Sequence, residues 1–133
     1  MTLAAALAFC VLLVGLSVFQ IALIAGAPLG RFAWGGQHRV LPARLRVGSA
    51  VAIVIYALIA VIALVRVGAI DVLPDLLATV AMWVVFAYFV LGIVLNAASR
   101  SKAERAVMVP VTIVLAVLSF LIAMGYGALA APA

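Results

Sequence analysis

Four stretches of this chain run apolar, without interruption, for the length needed to cross a bilayer: Leu3 to Ala25, Val47 to Val65, Leu76 to Leu95 and Val107 to Ala131. A helix rises about 1.5 Å per residue, so roughly 20 residues span a hydrocarbon core of about 30 Å. Apolar and polar residues do not alternate within the runs, which argues against barrel strands. Helices are the remaining way to satisfy every backbone polar group in lipid. Composition agrees: of 133 residues, 71% are hydrophobic and 8% charged. A water-soluble fold of this length has too little interior for that much apolar surface, and a disordered chain needs the opposite balance. A soluble globular enzyme is excluded. The expected fold is an all-α membrane protein with one domain over 1–133. It is an antiparallel bundle of four transmembrane helices at about 3–25, 42–65, 74–96 and 102–131, with a long cytoplasmic loop between the first two.

The ends of the runs carry their own chemistry. Gly26-Ala-Pro28 closes the first helix, because glycine accepts a left-handed cap and proline cannot continue a helix. Pro42 suits the first turn of the second, where its missing N–H costs nothing, and Arg66-Val-Gly68 closes it. Pro74 opens the third helix, with Asp75 well placed for the helix dipole; this helix should stop near Asn96. Ser101-Lys-Ala-Glu104 reads as a capping box, which starts the fourth helix ahead of its apolar run. Pro110 falls inside that helix and should kink it, freeing the carbonyl of Ala106. No Lys or Arg precedes residue 31, and the first run exceeds a usual signal-peptide core, so it is expected to be a retained helix. Cys10 is alone and lies inside it, where a thiol packs as a small hydrophobe.

Net charge is +5, a value that would suggest nucleic acid in a soluble chain. Here the charges sit between apolar runs and report orientation instead. Arg31, Arg39, Arg44 and Arg46 fall in the first connection, and Arg100, Lys102 and Arg105 in the third. With four spans these connections share one side, opposite both termini, Arg66, Asp71 and Asp75. The positive-inside rule puts that side in the cytoplasm and both termini outside. Arg44, Arg46, Arg100, Lys102 and Arg105 form a basic collar suited to anionic phospholipid headgroups. The expected partners are the lipid bilayer, those headgroups, and a second copy or another membrane protein. No nucleic-acid partner is expected.

Few residues could carry chemistry. Gln20 and Asn96, near the cytoplasmic ends of the first and third helices, suit an interhelical hydrogen bond or a cap, or else a polar path. Mid-run positions hold no ionisable group, which argues against a proton-coupled exporter built around a buried carboxylate. In the long connection, Phe32 and Trp34 suit the interface. Gly35 and Gly36 would admit a ligand close to the backbone, with Gln37, His38 and Arg39 on its polar end. Trp34, Gly35, Gly36, Gln37, His38, Arg39 and Asn96 are therefore the expected ligand contacts. The glycine pair follows no strand and lacks phosphate-loop spacing, so no cofactor is expected. His38 is the sole histidine, and three carboxylates in all make a metal site or an enzyme remote. A His38–Glu104 pair could do acid–base work only if the loops meet, and capping already accounts for Glu104. No catalytic residue is assigned. Tyr56, Trp83, Tyr88 and Tyr126 suit packing, with a pocket lining as the alternative. Gly48 and Ala52 offer one small-residue contact face.

Two blocks give the chain a family resemblance. The first is Gln20-Ile-Ala-Leu-Ile-Ala-Gly26-Ala-Pro28-Leu-Gly30, then Trp34-Gly35-Gly36-Gln37-His38, Leu41-Pro42 and Leu45-Arg46. The second is Leu95-Asn96, Ser99-Arg-Ser-Lys-Ala-Glu104-Arg105 and Pro110-Val-Thr. In these the chain resembles a family of small bacterial four-helix membrane proteins. The resemblance implies the four-span fold and a bacterial plasma membrane, and no activity. The leading expectation is a non-enzymatic membrane protein that scaffolds partners or binds a small ligand through its cytoplasmic loops. A homo-oligomeric channel or small-solute transporter comes second, and a lipid-modifying or isomerase-like enzyme third.

Overall fold

The computed structural model describes residues 2–125. It holds four long helices: α1 (Thr2–Ile24), α2 (Ala43–Arg66), α3 (Asp75–Ala97) and α4 (Lys102–Ala123). All four are long and apolar enough to cross a membrane, and the chain is a multi-pass integral membrane protein. The helices run up-down-up-down. Each packs on its sequence neighbours, and α1 against α4 closes the ring.

Local signals set the helix ends within a residue or two of expectation, apart from the end of α4. Gly26 and Gly68 both take positive φ, 94° and 84°. At the first, Gly26 N–H donates to the Leu23 carbonyl and Ala27 N–H to that of Ala22; at the second, Gly68 donates to Val65 and Ala69 to Leu64. These are complete Schellman caps, which satisfy carbonyls the helix would otherwise leave bare. Pro42 and Pro74 sit one residue earlier than expected, as N-caps in extended conformation. Ser101 caps α4 by accepting from Glu104 N–H at 3.2 Å. The reciprocal half of the expected capping box is absent among the described residues: Ser101 N–H goes to Ser99 Oγ instead, at 3.1 Å. The α-helix runs on through Pro110. It closes at Ala123, with Gly125 at φ 92° donating to the Ile122 carbonyl. This is earlier than the expected 131; the remainder of that expectation, Tyr126 included, lies outside the described residues.

The bundle axis is filled from the terminus-bearing end by Ala6, Phe9, Leu13, Ile59, Ala63, Met82, Val85, Phe89 and Leu115, all buried. Phe9 and Phe89 meet edge to face at 5.8 Å, the arrangement that ring quadrupoles favour. At the same end Arg66, the basic residue expected to stand apart from the others, reaches across the bundle and donates to the Ala123 carbonyl at 3.0 Å. It thereby satisfies a C-terminal acceptor of α4 and complements that helix's dipole. Residues 25–42 fold over the opposite end as two short 3₁₀ turns, Gly30–Phe32 and Trp34–Gly36. A second small core of Leu23, Ala33 and Leu41, flanked by Phe19, Leu29 and Leu45, fixes this loop onto α1 and α2.

Candidate functional site

Between the axial core and the loop the four helices diverge around a cavity of about 220 Å³. Each element contributes to its wall: Leu16, Phe19 and Gln20 from α1, Phe32, Ala33 and Trp34 from the loop, Tyr56 from α2, Tyr88, Gly92 and Asn96 from α3, and Glu104, Met108, Thr112 and Leu115 from α4. The loop roofs the space, held by close packing within itself and by contacts with α2 and the start of α4. A Cβ on Gly30 would strike the His38 carbonyl, and one on Gly36 would strike the Ser101 side chain. Only glycine lets the backbone approach so closely at these two positions. The Trp34 indole lies across Gly48 of α2, where an added Cβ would come within 2.8 Å of the ring, and its Nε1 donates to Ser49 Oγ at 3.1 Å. Ser101 adds a hydrogen bond, its hydroxyl donating to the Arg31 carbonyl while it caps α4.

Four polar side chains enter the wall beside the aromatic rings. Asn96 Nδ2 donates to Thr112 Oγ1 at 3.0 Å, and that hydroxyl donates in turn to the Met108 carbonyl. Asn96 therefore makes the interhelical bond that its position near the end of a span suggested, and this bond ties α3 to α4 in the cavity wall. Gln20 is buried and its Oε1 has no hydrogen-bond partner. Glu104 is only 7% exposed, and among the described residues no hydrogen bond or ion pair reaches its carboxylate. No Lys, Arg or His side chain stands in the wall.

The structure redistributes the residues expected from sequence. Trp34 and Asn96 reach the cavity. Gly35 faces open space, Gly36 presses on Ser101, and neither lines the cavity. Gln37 and Arg39 are exposed and His38 is half-buried outside the cavity. His38 makes no ion pair or hydrogen bond with Glu104, and the acid–base pair is not assembled. Of the expected headgroup contacts, Arg44, Arg100 and Lys102 are exposed. Arg46 is turned to the Leu41 carbonyl at 2.8 Å, and Arg105 to the Ser99 carbonyl. No three His, Cys, Asp or Glu side chains gather among the described residues, so the site presents a single carboxylate and not a metal-ligand set.

The reading from sequence accounted for Glu104 by helix capping, and its burial adds to that reading. Its side chain belongs to the cavity wall. The available signal was a stripe on α4: Glu104, Thr112 and Ser119 are its buried polar residues, and spacings of seven and eight keep them on one helix face. Against models of known families, curated proteins and solved structures, the chain finds no match.

Proposed function

We propose that this chain is a ligand-binding integral membrane protein of a bacterial plasma membrane. Its site is the cavity beneath the 25–42 loop, and that end faces the cytoplasm. The orientation rests on charge: seven of eight basic residues stand at the loop end, the side that positive charge retains during insertion. The observation that carries the reading is the meeting of two polar residues at one cavity: Gln20, whose buried Oε1 has no hydrogen-bond partner, and Glu104, whose carboxylate faces no Lys, Arg or His in the wall. A buried polar group without a partner, such as Gln20 Oε1, is costly. A native site that keeps both residues is suited to a ligand that supplies the missing donor. Concave, mostly apolar walls with a few convergent polar groups are the usual make-up of small-molecule sites. The cavity is complete within one bundle, so the reading needs no second copy. Below it, Phe9, Met82, Phe89 and Leu115 fill the axis, which favours a binding site over a route through a single bundle.

Mass spectrometry of the protein extracted in mild detergent tests this reading. Wild-type chain is expected to carry a small molecule at near-stoichiometric amount, and the isosteric Glu104→Gln variant at least about tenfold less. Equal small-molecule content in the two proteins, both helical by circular dichroism, would refute it.

A further inference from the structure

The chemistry of the cavity narrows its occupant further, on the premise that the cavity is a binding site. The wall holds one carboxylate, Glu104, and no Lys, Arg or His, beside the hydroxyls of Tyr56, Tyr88 and Thr112 and the amides of Gln20 and Asn96. Trp34 Nε1–H is committed to Ser49, Asn96 Nδ2 to Thr112, and the Thr112 hydroxyl proton to the Met108 carbonyl. Gln20 Oε1 and the Glu104 carboxylate remain without donors among the described residues. An acceptor without a donor calls for an N–H or O–H group, and a carboxylate with no cation beside it calls for a positive charge. A protonated amine meets both requirements, and an anion meets neither. The surrounding rings add to this, because aromatic faces attract cations.

A second feature gives the amine its shape. An apolar groove of about 330 Å³ lies between α1, α4 and the loop, and is lined by Leu16, Phe19, Leu29, Phe32, Val107, Met108 and Val111. It shares Leu16, Phe19, Phe32, Met108 and Val111 with the cavity, so the two spaces adjoin. Along α4 the groove runs from Val107 to Val111, about 5 to 10 Å deeper into the span than Glu104; along α1, Leu16 lies one turn deeper than Gln20. The polar groups thus stand at the headgroup level of the span and the groove descends toward its apolar middle. An amphiphile in a bilayer is arranged in the same way.

We propose that the cavity and groove together bind a lipophilic amine. Its protonated nitrogen lies between Glu104 and Gln20 and its hydrocarbon chain lies along the α1–α4 groove, entered sideways from the bilayer. Lateral entry also avoids the arginine collar, which would repel a cation arriving from water.

Trp34 is a built-in reporter, since it lines the cavity while Trp83 stacks elsewhere, on Phe86 and Phe120. The test uses full-length Trp83→Phe protein in lipid nanodiscs and follows Trp34 emission against dodecylamine, dodecanol and propylamine. Saturable binding of dodecylamine is expected. Dodecanol should bind at least tenfold more weakly for want of charge, and propylamine at least tenfold more weakly for want of a chain. Glu104→Gln should weaken dodecylamine at least tenfold and leave dodecanol within twofold. Equal binding of dodecylamine and dodecanol, unmoved by Glu104→Gln, would overturn the amine assignment while the cavity remained a binding site. Propylamine binding as tightly as dodecylamine would overturn the role of the groove. No saturable response to any of the three, together with equal co-purified content in wild type and Glu104→Gln, would remove the binding reading as well.

Discussion

Trp34 holds the one positive φ among the described non-glycine residues, 52°. A bulky side chain in the left-handed region costs energy and persists only where its surroundings fix it. Two contacts do so: the hydrogen bond to Ser49 Oγ and the seat over Gly48. The small residue at 48, read from sequence as a helix-packing face, is instead a seat for an indole. Gly48→Ala should therefore displace the ring. Thermal unfolding in detergent should show a loss of about 1–3 kcal/mol, the usual cost of overpacking. In a Trp83→Phe background, Trp34 emission should move to longer wavelength as the indole meets water. An unchanged spectrum would mean that the ring is not held there. Asn96 illustrates the opposite case. Its pairing with Thr112 follows directly from placing an amide inside a span, where an interhelical partner replaces water.

At the scale of elements, helix ends were legible because they depend on nearby residues. Glycine at C′, proline at an N-terminus and serine as N-cap act through local backbone geometry. The loop was not legible in this way, since its contacts join residues far apart in sequence, such as Arg31 with Ser101 and Trp34 with Ser49. Ser101 links the two kinds of structure by capping α4 and latching the loop with one hydroxyl. Ser101→Ala should cost about 0.5–2 kcal/mol, as lost N-caps do. It should also speed amide hydrogen exchange at residues 30–36 along with the first turn of α4. Faster exchange confined to α4 would mean that the cap matters and the latch does not.

For the whole molecule, charge and hydropathy set the number of spans and gather the basic residues at one end. Orientation is checked in a Cys10→Ser background by labelling single cysteines in intact cells. Gln37→Cys is expected to react with an impermeant maleimide only after permeabilisation, and Asp71→Cys before it; the reverse pattern would invert the topology. What the sequence by itself determined was the solvent of this chain, its four spans and their capped ends, since each follows from run length or from residues a turn apart. Only the tertiary structure decided which side of each helix looks inward. In water, an amphipathic stripe announces the buried face. In lipid both faces are apolar, and α1 shows almost no such stripe. The inward turn of Glu104 and Gln20 therefore depends on how four helices rotate and pack against one another, and that packing turned a residue readable as a simple cap into the charged group of a cavity.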